Sequence, residues 1–143
     1  MSVLDASVVL KWFVDEADSV RALQLREEFC RGTREIVVPD LLLFEVANAL
    51  RYNPGFTAEA IKRAIRTLFD MGLEVVAPTY SLVAEAIELA KSLDVTCYDA
   101  VYLALAEQLG LEFVTADERF CKQVRAMKPQ LLVSLLADLS QGA

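Results

Sequence analysis

Short apolar runs alternate along the chain with longer segments in which apolar and charged residues follow a helical period. Glycines follow several of the longer segments, at the positions where a helix ends and the chain turns. The pattern predicts short buried strands at residues 3–5, 36–39, 74–76, 112–114 and 131–136. It predicts helices at residues 8–14, 21–31, 41–52, 57–71, 81–93, 98–109 and 117–127. Ser7 is placed to cap the first of these helices, and Asp40 is placed to cap the third.

Strands this short, alternating with helices, are typical of a parallel sheet that helices cover on both faces, joined by right-handed crossovers. We therefore predict an α/β fold, and the length of 143 residues fits one domain spanning residues 1–143. Ligands of open parallel sheets bind at the carboxyl ends of the strands. Residues just after the predicted strands are therefore the first candidates for a functional site.

Three acidic residues follow predicted strands or begin predicted helices. Asp5 ends the first strand, Asp117 follows the fourth, and Asp99 lies at the start of the sixth helix. Each has a simpler explanation, because an acid in the first turn of a helix is favoured by the helix dipole. Thr96 and Thr115 each stand three residues before an acid, which is the spacing of a capping box. Taken one at a time, helix capping explains these acids better than a site does.

Glu45 is harder to explain as a cap, because it lies in the middle of a predicted helix. Residues 41–52 are apolar on almost every side, and Glu45 and Asn48 form one narrow polar stripe that Tyr52 extends. Such a helix is expected to be largely buried together with its carboxylate. Burying an unpaired carboxylate is costly, so a metal, a basic group or a proton must neutralise it. A structural Arg partner is the alternative to a metal site.

The absence of histidine restricts the possible chemistry. Ser-His-Asp and Cys-His catalysis, HExxH zinc sites and imidazole bases are excluded, so hydrolysis would have to use carboxylates and metal ions. Clustered acids repel one another unless cations bind, and oxygen ligands favour Mg²⁺ or Mn²⁺ over zinc. The reaction class that needs such a site is phosphodiester hydrolysis.

The predicted site combines four acids with three supporting polar residues. Asp5, Asp99 and Asp117 are the predicted metal ligands, and Glu45 is a further ligand or the partner of one. The polar side chains that would hold carboxylates or waters in place are Ser7, Asn48 and Thr115.

Charge and composition restrict the partners and the cellular setting. The formal charge of −7 argues against a broad basic surface for nucleic acid and suits a basic protein partner. Bound cations would still reverse the field locally at an acid cluster. No apolar run reaches the roughly 18 residues of a membrane span, and no export signal is recognisable, so we expect a soluble, cytoplasmic protein. The cysteines lack C-x-x-C spacing and are expected to be small core residues, with one disulfide left open: Cys30, Cys97 and Cys121.

The order and context of these residues resemble the PIN-domain family, and within it the VapC-like ribonuclease toxins of prokaryotic toxin–antitoxin pairs. The resemblance covers essentially the whole chain. It rests on four segments: VLDAS at 3–7, Glu45 with Asn48 in the helix after VPD at 38–40, YDAVYLALA at 98–106, and VTAD at 114–117.

The resemblance implies a three-layer α/β/α fold with a central, mainly parallel sheet of four to five strands. It implies cleavage of RNA with Mg²⁺ or Mn²⁺ at the four acids, with supporting hydroxyls at Ser7 and Thr115. It also implies a homodimer, and a cognate antitoxin that inserts a segment into the active-site groove. The candidate phosphate contacts, on faces that are also typical of ordinary solvated surface, are Lys11, Arg51, Lys62, Arg63 and Arg66.

Two rival interpretations stay open on the sequence. A Mg²⁺-dependent phosphoryl-transfer domain also uses acids at strand ends, but it requires a Lys on a late strand or a D-x-D beginning, and Asp5-Ala6-Ser7 lacks the second acid. A non-catalytic module would dimerise through apolar surface, with its acids serving as helix caps. The capping interpretation predicts that stability does not depend on Mg²⁺ or Mn²⁺, whereas a metal site predicts a marked dependence.

Overall fold

Five parallel strands form one sheet in the computed structural model, which describes residues 1–139. The strands are β1 (Ser2–Leu4), β2 (Ile36–Pro39), β3 (Glu74–Val76), β4 (Glu112–Thr115) and β5 (Val133–Leu135). The sheet order is β3-β2-β1-β4-β5, and each neighbouring pair is parallel. The predicted α/β fold is therefore confirmed. The predicted domain extended to residue 143, and residues 140–143 lie outside the described part.

Helices connect the strands throughout the described residues. They are α1 (Ala6–Val9), α2 (Ser19–Cys30), α3 (Leu41–Arg51), α4 (Ala58–Asp70), α5 (Tyr80–Leu93), α6 (Cys97–Leu109) and α7 (Glu118–Met127). Short 3₁₀ helices follow α1 at Leu10–Trp12 and β5 at Leu136–Asp138. Between residues 1 and 139, none of these helices has both the length and the apolar character needed to cross a bilayer.

Two of the helix caps predicted from the sequence are not observed. The first helix was predicted at 8–14 with Ser7 near its cap, but α1 already begins at Ala6 and gives way to a 3₁₀ turn at Leu10. Ser7 therefore lies inside the helix. Asp40 does not cap α3, because its own backbone is helical and its side chain accepts no capping hydrogen bond. Thr96 does cap α6, where its hydroxyl accepts from the Asp99 N–H at 3.0 Å.

The core lies against the central strands and is covered mainly by α6. This helix packs across β1, β2 and β4, and its residues Ala100 and 102–106 are buried. By contrast, α3 packs mainly on α1 and α4 and buries one stripe, while Phe44 on the same helix is 78% exposed. The prediction that residues 41–52 form a largely buried helix therefore holds for this stripe and fails at Phe44. The apolar pattern of this helix reflects one buried stripe, partly buried positions beside it and the exposed Phe44.

The cysteines only partly follow the prediction that they are core residues. Cys121 is buried, whereas Cys30 and Cys97 are exposed. All three lie in the described part of the chain and are free thiols.

The chain order reverses at β1, and this determines where a site can form. From β1 the chain adds β2 and β3 on one side, and it then returns to add β4 and β5 on the other. Segments that leave the carboxyl ends of β1 and β4 consequently diverge and leave a crevice between them. Asp5 directly follows β1, and Asp117 lies just past the end of β4, so both are at this crevice.

Candidate functional site

Hydrogen bonds through two hydroxyls join the ends of β1 and β4. Oδ2 of Asp5 accepts from Oγ of Ser7 at 2.8 Å and from Oγ1 of Thr115 at 2.8 Å. Each hydroxyl in turn accepts from a main-chain N–H beyond β4: Ala116 donates to Ser7 at 3.0 Å, and Asp117 donates to Thr115 at 3.1 Å. Because each hydroxyl has one proton and gives it to Asp5, this relay holds the carboxylate in one orientation.

The relay also decides which residue caps α7. The predicted capping box of Thr115 and Glu118 is wrong, because the Thr115 hydroxyl is used by the relay. Asp117 caps the helix instead, and its Oδ1 accepts from the Phe120 N–H at 3.0 Å. The capping role predicted for acids at helix starts is thus real for Asp117, but its carboxylate is also exposed at the crevice.

Glu45 reaches this region from α3 and is bound by a tyrosine of α6. The Tyr102 hydroxyl donates to Oε1 of Glu45 at 2.6 Å. The tyrosine is fully buried, and its ring packs against Phe113 with centroids 6.0 Å apart. Burial and the hydrogen bond to the Glu45 carboxylate raise the pKa of Tyr102, so its phenol keeps the proton and remains a donor. No Arg or Lys of the described residues pairs with Glu45, so the alternative of a structural Arg partner is wrong.

Tyr102 is the residue of this site that the sequence reasoning missed. It stood within the quoted YDAVYLALA segment without a role. A signal was available, because a buried tyrosine needs a partner for its hydroxyl, and an unpaired acid on another apolar helix is a natural acceptor. Asn48, predicted as a supporting residue, is exposed, and no side-chain hydrogen bond joins it to the described residues.

The four acids lie close enough to influence one another electrostatically. Burial raises the pKa of Asp5, and the charge of Asp99 raises it further. Burial, followed by the charges of Asp5 and Asp99, likewise raises the pKa of Glu45. The pKa of Asp99 is raised by burial and by the charge of Asp117. The structure therefore brings the four predicted acids together into one cluster of like charge.

The donor set of this cluster fits a hard, partly hydrated cation. Within residues 1–139, no three acidic or cysteine side chains lie close enough together to form a ready-made metal cage. Mg²⁺ does not need one, because it usually keeps several waters and binds one or two carboxylates together with substrate phosphate oxygens. Neighbouring carboxylates, such as Asp5 and the Asp99 whose charge raises its pKa, would supply such a partial shell. The residues present thus fit Mg²⁺ or Mn²⁺, and they do not supply the closed thiolate or imidazole shell of structural zinc.

Most of the cations predicted as phosphate contacts have other partners or lie on open surface. Lys11 and Lys62 pair with neighbouring acids at 3.2 and 3.3 Å, and the Arg51 guanidinium lies 4.8 Å from the centre of the Tyr52 ring. Arg63 and Arg66 are exposed on α4. Their role in binding phosphate stays a prediction.

Comparison with known proteins identifies the family to which this chain belongs. Residues 2–125 match the family model of the PIN domain, and the chain belongs to this family. Over 129 residues it is 30% identical to "Ribonuclease VapC3" of Pyrobaculum aerophilum, which covers 87% of this chain and 95% of that protein. The resemblance to the VapC-like branch of the PIN family is thereby confirmed.

Solved structures show the same fold at lower sequence identity. A chain of a toxin–antitoxin complex from Klebsiella pneumoniae superposes with a TM-score of 0.69 at 15% identity, covering 97% of this chain and all of that one. The toxin VapC20 of Mycobacterium tuberculosis, described as cleaving the sarcin–ricin loop, gives a TM-score of 0.66 at 18% identity, covering 84% of this chain and 92% of that one. These similarities confirm the predicted three-layer α/β/α fold.

Replacing Asp5 with Asn is expected to raise the Tm of the metal-free protein at neutral pH. Because the pKa of Asp5 is raised on folding, the folded state binds this proton more tightly than the unfolded chain. The resulting stability is complete at acid pH and is lost as the pH rises through the raised pKa. Asn carries no charge, and its carbonyl can accept from both hydroxyls, so Asp5→Asn avoids this loss. We expect a gain on the order of 1 kcal/mol at pH 7, or a few degrees in Tm.

The measurement is thermal unfolding in EDTA across a range of pH values. The gain should disappear at acid pH, where wild type is also uncharged at this position. Asp15→Asn removes an exposed acid and serves as the matched control, with an unchanged Tm. A lower Tm for Asp5→Asn at pH 7 would mean that the ionised carboxylate stabilises the fold.

Proposed function

We propose that this protein is a Mg²⁺- or Mn²⁺-dependent endoribonuclease and the toxin component of a VapBC-type toxin–antitoxin pair, acting in the cytoplasm. The observation that carries the proposal is the Asp5 carboxylate, held by two hydroxyls at the crevice between β1 and β4, with Glu45 and Asp99 near enough to interact with it electrostatically and Asp117 near enough to interact with Asp99. The identity to a relative named as a ribonuclease supports the same chemistry.

Each acid has a distinct place in the proposed mechanism. Asp5, Asp99 and Asp117 would hold the cation, and Glu45 would act as a further ligand or hold one of its waters. A bound Mg²⁺ or Mn²⁺ lowers the pKa of a water and neutralises charge on the scissile phosphate. Ser7 and Thr115 fix the orientation of Asp5, while Tyr102 occupies Oε1 of Glu45 and leaves its other oxygen for a water. Asp99 and Asp117 are exposed, which leaves them within reach of an RNA strand.

Two kinds of protein partner fit the surface. The excess of acids at the crevice suits a basic segment of a cognate antitoxin, which would cover the site. A separate, almost wholly apolar cavity of about 240 Å³ lies beside the start of α5, lined among others by Val83 and Tyr98. Tyr80, at the start of α5, is 89% exposed. Exposed apolar surface of this kind is typical of a protein interface, and we assign it to a homodimer.

The alternative function is a non-catalytic dimeric module with the same fold. It is favoured by the capping hydrogen bond of Asp117 and by the absence of a three-ligand cage among the described residues. It does not explain why two hydroxyls and a buried tyrosine orient Asp5 and Glu45. A phosphoryl-transfer domain is disfavoured, because Lys122 is exposed and pairs with Glu118 on the surface of α7.

Cleavage of a fluorescent single-stranded RNA should require Mn²⁺ or Mg²⁺ and should stop in EDTA. Asp5→Asn and Asp99→Asn are each expected to lower the rate at least about 100-fold, because they remove charge where the cation binds. Asp15→Asn should cleave like wild type. If wild type cleaves no RNA, and its Tm responds to neither metal nor the Asn substitutions, the acids are caps and the binding-module function is correct.

Tyr102→Phe tests whether the tyrosine positions Glu45. The ring contact with Phe113 is preserved, so we expect folding to be retained while cleavage falls about 10- to 100-fold. The Mn²⁺ concentration for half-maximal rate should rise, which a purely structural role would not cause. The double variant Glu45→Gln/Tyr102→Phe should lose little more cleavage activity than Glu45→Gln alone, since the hydroxyl acts through that carboxylate. Tyr52→Phe, at an exposed tyrosine, is the control, and independent, additive losses would contradict the assignment.

Val83→Glu tests the proposed homodimer interface. A charge introduced at the apolar cavity should convert a dimer into a monomer, as measured by light scattering after size exclusion. The matched control is Val20→Glu, the same substitution at an exposed valine on α2, which should leave the dimer intact. A wild-type protein that is monomeric at high micromolar concentration would contradict the interface.

A further inference from the structure

A polar cavity of about 500 Å³ opens directly beside the acid cluster and is not explained by metal binding alone. Asp99 and Asp117 form the side that it shares with the cluster. From there it extends along the first turns of α7, where Arg119 and Gln123 line it one helical turn apart. Its volume lies within the roughly 300–1,000 Å³ of small-molecule pockets, large enough for one nucleotide.

A hydrogen bond from α7 holds the opposite wall of the cavity, which is the loop between α5 and α6. The Gln123 side-chain amide donates to the main-chain carbonyl of Leu93, at the end of α5. The chain then turns through Asp94, which has a left-handed backbone with φ 55°, and reaches Thr96, the cap of α6. The loop that faces Arg119 is therefore fixed at both ends by hydrogen bonds. The α5–α6 loop and α7 therefore form a cavity whose walls are held in position by hydrogen bonds.

Charge indicates what the cavity would bind. Its lining contains three carboxylates and one guanidinium, that of Arg119. Within residues 1–139, Arg119 has no ion pair closer than 4 Å, although Lys122 on the same helix pairs with Glu118 at 3.1 Å. Once cations neutralise Asp99 and Asp117, the lining keeps the carboxylate of Asp94 and the guanidinium of Arg119, and Arg119 is the group free to contact an anion. Arginine presents a fork of donors that matches phosphate oxygens.

We propose that this cavity binds the nucleotide next to the scissile bond of a single-stranded RNA, with Arg119 contacting its phosphate. The proposal rests on the ribonuclease function proposed above, and it adds the path of the strand: from the acid cluster along the start of α7. Single-stranded RNA suits such a cavity, because an unpaired nucleotide can leave the stack and enter it. Arg119 was not among the phosphate contacts that the sequence suggested.

Arg119→Ala is expected to raise the KM for a fluorescent single-stranded RNA about tenfold or more, the effect of losing a charged hydrogen bond. The slope of log KM against log salt concentration should fall by about 0.7, the contribution of one phosphate contact on a single strand. Arg119→Lys should keep the salt slope and recover part of the KM, because it keeps the charge and loses the fork. The matched control is Lys122→Ala, which removes one exposed charge from the same helix outside the cavity.

The outcomes separate this proposal from the ribonuclease function. If wild type cleaves RNA and Arg119→Ala matches Lys122→Ala in KM and salt slope, the cavity proposal is overturned and the nuclease stands. If wild type cleaves no RNA with either metal, the proposed function fails, and the cavity proposal fails with it. Arg119 is exposed, so folding of its variants should be unaffected, and circular dichroism checks this.

Discussion

The hydrogen bonds that hold Asp5 are the constraint on which the site depends. Two hydroxyls, from α1 and from the end of β4, converge on one oxygen of this carboxylate. The Asp5 N–H also donates to the Val114 carbonyl at 3.0 Å, so main chain and side chain both join β1 to β4. Because the order in which strands join the sheet reverses between β1 and β4, the segments that follow these two parallel strands would otherwise diverge. The relay closes one wall of the crevice and leaves the other side open to Asp99 and Asp117.

The hydrogen bonds to Asp5 and Glu45 favour the ionised form of these carboxylates, whereas their burial favours the protonated form. Burial and the charges of neighbouring acids raise the pKa of Asp5, Glu45 and Asp99, so these carboxyl groups oppose folding at neutral pH when no cation is bound. The hydroxyls of Ser7 and Thr115 and the phenol of Tyr102 offset part of that cost. They leave the carboxylates charged, whereas an Arg partner would neutralise the charge. The divalent-cation site that we propose would need this balance, and an ion pair at Glu45 would abolish it.

The sequence was informative wherever a local rule decides the structure. Short apolar runs bounded by turns located the strands at 36–39 and 74–76 without error, and strand ends pointed to Asp5 and Asp117. Prediction from the sequence failed where a tertiary contact competes with a local one. Thr115 has capping spacing but is used by Asp5, and the apolar helix α3 includes Phe44, which is exposed. Tyr102 and Arg119 could not be assigned from spacing, because their neighbours lie on other elements.

The net charge of −7 has a consequence for the proposed mechanism. A protein this acidic repels RNA over most of its surface, so affinity must come from the few places where the field is reversed. In the proposed function, cations at the acid cluster would supply one such place, and Arg119, which lines the neighbouring cavity, would extend it along α7. RNA and metal should therefore bind with positive coupling, each raising the affinity for the other. A basic antitoxin segment would bind the same cluster when cations are absent, so it would compete with the metal as well as with the substrate.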